Sequence, residues 1–255
     1  AQFSKSLMVK KGERYMLVLD NVYDGGRGHT LTFKSMKEVT VSGILSDEQG
    51  ERIKTDVILS DRKGNVVVAA QSDDSGQYRF TARIAEHTDY DLNFSKENLF
   101  FDAETINTKM IKDSSTMINI RSVLRQLRSG KKYVVGNINF IAGFAALLPT
   151  SYSAVQALCK LMKRNKKMVI RIEGHITSRM YDPYNEWGQK LSELRAKTVY
   201  DYLVDCGIEK ERMSTIGYSS RFLLYPHATT DKEFSANRRV EINVISINGA
   251  EDKRK

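Results

Sequence analysis

Short runs of alternating apolar and polar residues, separated by turn residues, make up most of the first half of the chain. These runs occupy residues 39–44, 56–59, 66–68, 77–81 and 90–94, and the turns between them contain Gly50, Gly64 and Gly76. Strands that recur about every 8–12 residues with glycine-containing turns are typical of an antiparallel β-sandwich. We therefore predict a sandwich over residues 39–112.

After residue 116 the pattern changes to an alternation of strands and helices. Strands are predicted at residues 133–140, 168–172, 213–218 and 240–245. Apolar residues repeat with helical spacing from Val155 to Met162, and again from Leu191 to Cys206, after which Gly207 ends the helix. This order predicts a four-stranded α+β domain over residues 133–247.

The remaining segments complete the predicted organisation. Residues 113–132 are expected to form a linker between the two domains, and residues 248–255 form a basic tail. Residues 1–38 contain one strand-like run, at 15–19, to which we assign no function.

Charge is distributed unevenly along the chain. The net charge is +9, and residues 131–255 hold 21 of the Lys and Arg residues against 13 of the Asp and Glu residues. The second half is therefore expected to meet an anion, such as nucleic acid, anionic lipid or an acidic cell-wall polymer, unless it is a solvated surface without a partner. Because no aromatic pattern of an RNA-binding module accompanies the charge, no nucleic-acid partner is expected.

The cysteines and the apolar stretches further restrict the classes of protein to which the chain can belong. Cys159 and Cys206 fall on predicted buried helix faces, and we interpret each as a small buried hydrophobic residue; the sequence does not show whether their Cα atoms lie close enough for a disulfide. No CxxC or HExxH spacing occurs, so neither a metal site nor a cofactor is expected. No apolar stretch approaches the roughly 18 residues of a transmembrane helix. The opening Ala1-Gln2-Phe3 is typical of a mature product cut after a signal peptide, or of a trimmed chain.

Three motifs in the first half carry a resemblance to a known module. They are Gly43-Ile44-Leu45-Ser46-Asp47-x-x-Gly50, Val57-x-Leu59 and Ser72-Asp73-Asp74-Ser75-Gly76-Gln77-Tyr78-x-Phe80. Together they resemble the carboxypeptidase-regulatory-like, or transthyretin-like, β-sandwich. The resemblance implies a structural spacer or a docking surface without catalysis.

A longer series of motifs runs through the second half. It consists of Asn137-Ile138-Asn139-Phe140, Ile172-Glu173-Gly174-His175, Leu191-Ser192-x-x-Arg195-Ala196, Gly207-Ile208-x-x-x-Arg212, Gly217-Tyr218 and Asn237-Arg238-Arg239-Val240-Glu241-Ile242. In this order they resemble the OmpA-like C-terminal domain family over about 115 residues. The resemblance implies a βαβαββ domain that binds peptidoglycan non-covalently in the periplasm of Gram-negative cells.

The resemblance also implies which residues bind the diaminopimelate residue of the stem peptide. In the family, the Arg of the L-S-x-x-R-A motif grips a carboxylate, and here that residue is Arg195; a guanidinium offers two parallel donors, which Lys cannot copy. The family's acid after Gly-His-Thr, which faces the ammonium, is replaced by Thr177. The following loop carries an insertion, and Asp182 or, more weakly, Ser178 is a candidate substitute.

Further candidate ligand-binding residues come from the same motifs. They are Phe140, Asn237 and Arg239. Because strand alternation sends Arg238 and Arg239 to opposite faces, at most one of the two is expected to point toward the site.

These observations favour a non-catalytic anchor in the periplasm, associated with the outer membrane. Its OmpA-like domain would bind peptidoglycan, and its N-terminal half would contact an outer-membrane β-barrel or a secretion or motility complex. The alternative is an OmpA-like domain that has lost wall binding and serves as a protein-docking module. A wall-modifying enzyme is the least favoured hypothesis, because no GxSxG elbow occurs and Cys206 lies at a helix C-terminus, where the dipole disfavours a thiolate.

Overall fold

The computed structural model describes residues 36–86, 88–108, 111, 116–177 and 185–249. The strand-like run at 15–19, most of the basic tail, and the candidate residues Ser178 and Asp182 lie outside these residues. No helix in the described part of the chain is long and apolar enough to cross a membrane.

The described residues of the first half form eight strands in two four-stranded sheets. The strands are β1 (Met36–Asp47), β2 (Asp56–Asp61), β3 (Val66–Gln71), β4 (Gln77–Ala85), β5 (Tyr90–Ser95), β6 (Leu99–Phe100), β7 (Asp102–Ile106) and β8 (Met117–Gln126). Their orders are β4-β1-β8-β6 and β3-β2-β5-β7. Alternate residues of both sheets, such as Val41, Leu59 and Leu92, are fully buried and belong to one hydrophobic cluster.

Strand β8 corrects the prediction of a linker between the two halves. Residues 117–126, which were expected to be part of a linker, instead pair with β1 from Thr40–Met117 to Asp47–Leu124. This pairing is parallel, whereas the pairs that join β1 to β4, β2 to β3, β2 to β5 and β5 to β7 are antiparallel. The partner of β8 lies more than seventy residues earlier in the chain, and the alternation of a strand carries no information about so distant a partner.

The second half has the predicted alternation of strands and helices. Its elements are β9 (Lys132–Val135), α1 (Tyr152–Arg164), β10 (Val169–Gly174), α2 (Glu186–Asp205), β11 (Met213–Gly217), α3 (Asp231–Asn237) and β12 (Val240–Ser246). They form a four-stranded sheet of order β11-β10-β12-β9, in which β10 and β11 are parallel. Helix α3 was not predicted, although Thr230 and Glu233 form a capping box at its start.

The predicted strand at 133–140 is five residues too long. Strand β9 ends at Val135, and Asn137 adopts a left-handed conformation with φ of 63°. Beyond it, residues 139–148 form a tight loop, in which Phe140 and Leu147 make an isolated β-bridge. Ser151 closes this loop, because its hydroxyl accepts from the backbone N–H of Asn139 and donates to the Asn139 carbonyl, both at 2.8 Å.

The two halves share a hydrophobic cluster. Phe100, Phe101 and Leu127 from the first half are buried in the same cluster as the core of the second half. The ring of Phe100 stacks on that of Tyr133 with 4.5 Å between centroids. A boundary at residue 133 therefore cuts through packed side chains.

Cys159 and Cys206 form a disulfide, which the sequence had left open. Their Cα atoms are 6.5 Å apart, within the range that a bridge spans. The bridge joins the buried face of α1 to the C-terminus of α2. Sequence spacing marks both helix faces as buried, but it does not show that these faces meet.

Candidate functional site

An open cavity of about 380 Å³ lies where the 139–148 loop, the end of β10, the start of α2 and the end of α3 converge. Its lining residues are Asn139, Phe140, Ala142, Gly143, Leu148, Ile176, Thr177, Trp187, Leu191, Arg195 and Arg238. Apolar side chains form most of the wall, and two guanidinium groups supply its charge.

Local packing explains why α2 carries Arg195 into this cavity. The side chain of Asn185 caps the helix by accepting from the Gly188 N–H at 2.6 Å. Strand β10 and α2 lie so close that a Cβ on Gly174 would be 2.1 Å from the Ser192 carbonyl oxygen. This contact brings Arg195, one turn further along the helix, next to the chain that follows β10 at Thr177.

Arg195 is nearly fully buried, with 5% of its surface exposed, and its orientation is fixed by the 139–148 loop. Its Nε donates to the Phe144 carbonyl at 3.1 Å, and its guanidinium carbon lies 4.9 Å from the centroid of the Phe140 ring. Thr198, one turn later, holds the same loop by donating to the Ala145 carbonyl at 2.9 Å. The helix and the loop thus form one wall of the cavity.

Arg195 carries a positive charge although it is buried. Burial and the neighbouring charge of Arg238 lower its pKa to about 10, so the guanidinium is still protonated at neutral pH. Among the described residues, no carboxylate pairs with Arg195, and its two terminal nitrogens make no hydrogen bond. A buried cation without a protein counter-ion is a site at which an anionic ligand is favoured.

Three of the predicted site residues meet in this cavity. Arg195, Phe140 and Thr177 all line it. The side chain of Thr177 is half-buried and lines the cavity just after the end of β10. The structure therefore brings together residues that are separated by 37 and 18 positions in the sequence.

Asn237 and Arg239 do not line the cavity, and this corrects their assignment as ligand-binding residues. Asn237 is fully buried and exchanges two hydrogen bonds, at 2.9 and 2.8 Å, with the backbone of Tyr225. Arg239 donates to Glu241 at 2.7 Å and to the Phe222 carbonyl at 3.0 Å. Both residues therefore hold the 219–226 loop in place. Arg238, which was set aside in favour of Arg239, faces the cavity instead.

Trp187 is a cavity residue that the sequence motifs did not identify. It lies in the first turn of α2 and is 63% exposed. An exposed tryptophan so close to the helix cap is the one sequence-level signal that could have identified it, because surface aromatic residues are enriched at binding sites. It is also the only tryptophan of the chain, so its fluorescence reports on this cavity.

A cluster of charged residues lies beside the site, on β10 and β12. Glu173, His175 and Glu241 are close enough to hold a metal ion, but each carboxylate is already paired. Glu173 accepts from Lys132 and Arg171 at 2.7 and 2.8 Å, and Glu241 accepts from Arg239. These contacts make the cluster an ion-pair network rather than a candidate metal centre.

The pKa values of the two carboxyl groups of this network, Glu173 and Glu241, are determined by burial and by hydrogen bonds that oppose it. Burial raises the pKa of Glu241, but the neighbouring His175 ring, 3.4 Å away, and the hydrogen bond from Arg239 outweigh the burial and hold the pKa at about 2. Burial likewise raises the pKa of Glu173, and hydrogen bonds from Lys132, Asn243 and Arg171 bring it below its ordinary value. Both groups are therefore ionised at neutral pH.

Comparison with known proteins bears on the part of the chain that builds the cavity. The OmpA family model matches residues 139–238. The chain carries an OmpA-like domain there. This stretch begins at the cavity loop and ends at Arg238, so it includes every residue that lines the cavity.

Two curated relatives and one solved structure illustrate the similarity. Outer membrane protein A of Buchnera aphidicola subsp. Schizaphis graminum is 33% identical over 130 residues, which are 46% of this chain and 37% of that protein. The peptidoglycan-associated lipoprotein of Buchnera aphidicola subsp. Baizongia pistaciae is 27% identical over 150 residues, 58% of this chain and 80% of that protein. The periplasmic domain of Helicobacter pylori MotB is 22% identical, covers 48% of this chain and 86% of its own, and superposes with a TM-score of 0.39.

The chain spans little more than a third of the length of the outer-membrane relative. A TM-score below 0.5 adds nothing to the sequence match. The first-half resemblance to the carboxypeptidase-regulatory-like sandwich has no counterpart in the matched stretch and stays a prediction.

Proposed function

We propose that the protein is a non-catalytic anchor of the cell envelope that binds peptidoglycan in the cavity around Arg195. The matched relatives include a peptidoglycan-associated lipoprotein and an outer membrane protein, which supports a role at the wall and the outer membrane. The periplasm is the compartment in which such a protein meets the wall, and it also permits the Cys159–Cys206 disulfide.

One observation carries this proposal. Arg195 is buried, is oriented by Phe140 and the Phe144 carbonyl, and has no carboxylate partner among the described residues. The stem peptides of peptidoglycan carry free carboxylates. A guanidinium binds such a group through two parallel hydrogen bonds, and here it is already held in the orientation that this requires.

Sedimentation with purified, insoluble peptidoglycan tests the proposal. The full chain should sediment with the polymer at 0.3 M salt, where exposed charges are screened beyond roughly 6 Å. Arg195→Gln should weaken the binding at least about tenfold, because it removes a charge-assisted bond of about 1.5–3 kcal/mol. Lys190→Gln is the matched control, since it changes the same charge on an exposed position of the same helix outside the cavity.

A further variant distinguishes a loss of peptidoglycan binding from a loss of folding. Arg195→Lys keeps the charge but not the planar donor pair, so it should also bind more weakly while unfolding at a temperature close to that of the parent. A parent that stays in the supernatant, or three variants that sediment equally, would overturn the proposal. Because we propose a binding protein, no soluble muropeptides should be released between pH 5 and pH 8.

A second candidate function rests on a different surface. Phe222, Leu224 and Tyr225 are 56%, 48% and 46% exposed, yet Asn237 and Arg239 hold their backbone rigidly. An apolar loop presented in this way favours the alternative of a protein-docking module. In that case Leu224→Ser would abolish co-purification with an envelope partner and leave sedimentation with peptidoglycan unchanged.

The proposed partner of the first half is an outer-membrane barrel or an envelope complex. This half packs on the second half through a buried Phe100–Tyr133 stack, so the two halves would transmit force as one body. Cross-linking in intact cells identifies the partner. Cross-links confined to the OmpA-like domain would refute a contact through the first half.

A further inference from the structure

Strand β3 is an exposed edge of a first-half sheet and contains no charged residue. It lies at the end of the sheet β3-β2-β5-β7 and has the sequence Val66-Val67-Val68-Ala69-Ala70-Gln71. Val66 and Val67 are 53% and 38% exposed. Natural proteins block such an edge with charged residues, proline, short strands or bulges, because an unblocked edge pairs with another strand.

The other three edges of the two first-half sheets carry these protective features. Strand β4 contains Arg79 and Arg83. Strand β7 contains Asp102 and Glu104, and β6 has only two residues. The ladder between β3 and β2 is irregular at the start of β3, beside the turn, and is regular over Val68–Gln71. Most of β3 therefore has the geometry of a strand that can accept a further neighbour.

The second half of the chain holds this edge in place without covering it. The turn between β2 and β3 lies against α1, because a Cβ on Gly64 would overlap the Gln156 side chain. Helix α1 itself packs over β5, where Arg164 donates to the Ser95 carbonyl at 2.9 Å. An edge that is already ordered pairs at a lower entropic cost than a mobile one.

The charges that flank β3 have opposite signs at its two ends. Lys63 lies in the turn before the strand, Asp73 and Asp74 lie in the turn after it, and all three are exposed. If two copies of β3 pair antiparallel, the start of each strand lies beside the end of the other. Lys63 of each copy then faces the two aspartates of the other copy, whereas a parallel pair would bring like charges together.

We propose that β3 is a self-association surface, through which two copies of the chain pair antiparallel about a two-fold axis and join their sheets into one of eight strands. Because each copy has one such edge in its first half, the assembly closes at two copies. The dimer carries two OmpA-like domains and so binds a polymer with repeated sites more tightly than one copy does. This dimer goes beyond the proposed function and does not depend on the ligand of the cavity.

Analytical ultracentrifugation of the full chain tests the dimer. The parent should dimerise with a dissociation constant of micromolar order, as expected for a small interface. Ala69→Lys places a charge at an exposed position of the edge and should weaken dimerisation at least about tenfold at an unchanged melting temperature. Ser214→Lys is the matched control, since it adds the same charge at an exposed position of β11, and it should dimerise like the parent.

A charge exchange tests the antiparallel direction. Lys63→Glu and Asp74→Lys should each weaken dimerisation about threefold, because each brings like charges together at both ends of the paired strands. The combination of both changes should restore it, because opposite charges face each other again.

Other results overturn the inference and leave the proposed function standing. If the parent sediments as a monomer up to its solubility limit while it still binds peptidoglycan, the self-association fails. If Ala69→Lys dimerises like the parent, or if the combined variant stays as weak as its single changes, the antiparallel β3 contact is refuted. If the parent is a monomer and Ala69→Lys loses a cross-link that the parent makes in intact cells, the edge binds a strand of another protein instead of a second copy.

Discussion

The disulfide between Cys159 and Cys206 should contribute several kilocalories per mole to stability. It closes a loop of 47 residues that contains β10, all of α2 and the cavity wall formed by Ile176 and Thr177. A cross-link of this kind restricts the unfolded chain, and for a loop of this length the chain-entropy relation gives about 4 kcal/mol at 25 °C. For a protein of this size, each kcal/mol changes the melting temperature by about 2–4 °C.

Reduction should therefore lower the melting temperature by about 8–16 °C, measured by circular dichroism with and without dithiothreitol. The double variant Cys159→Ala/Cys206→Ala should melt near the reduced parent and should not respond to the reductant. Peptide binding by the folded protein should persist, because Cys206 lies eleven residues beyond Arg195, about 16 Å along the helix axis. A reduced parent, verified by mass, that melts within 2 °C of the oxidised form would refute the loop-closure argument.

Three further predictions concern packing, the 219–226 loop and acid stability. Phe100→Ala should lower the free energy of unfolding by about 3–5 kcal/mol in urea titrations, because it removes a buried ring that packs on Tyr133. Asn237→Ala should speed proteolysis within the loop around Tyr225 while leaving the signal of peptide binding unchanged, since it removes two hydrogen bonds to that loop. Glu241 has a folded-state pKa of about 2, well below its unfolded value of about 4.5. Its stabilising effect is therefore present above the unfolded pKa and lost as the pH falls from about 4.5 toward 2, and Glu241→Gln should flatten stability in that window.

Local sequence signals predicted two of the elements that build the cavity, β10 and α2, but not α3 or the 139–148 loop. The helical repeat from Leu191 onward, which Gly207 ends with a φ of 92°, located α2 and with it Arg195. Both signals depend only on neighbouring residues, namely the 3.6-residue period and the left-handed residue after a helix end. The motif around Arg195 therefore pointed to a residue that the structure places in the cavity.

Properties that depend on distant contacts were not predictable in this way. The parallel pairing of β8 with β1 joins residues that are 77 positions apart, such as Thr40 and Met117. The bridge between Cys159 and Cys206 depends on the packing of two helices. In both cases the local pattern marks a residue as buried or extended, and the identity of its partner is decided by the packing of the whole domain.

The consecutive residues Arg238 and Arg239 show why the two candidate functions can be separated. Strand alternation predicted that their side chains face opposite ways, but it did not show which one faces the cavity. Arg239 forms an ion pair with Glu241, and Arg238 lines the cavity. If the protein is a wall anchor, Arg238→Gln weakens peptide binding without lowering stability, because it removes a charge that repels Arg195. If it is a docking module, Arg239→Gln is the damaging change, because it releases the Phe222 carbonyl and with it the exposed apolar loop. The two candidate functions are therefore distinguished by which of the two substitutions, Arg238→Gln or Arg239→Gln, impairs the protein.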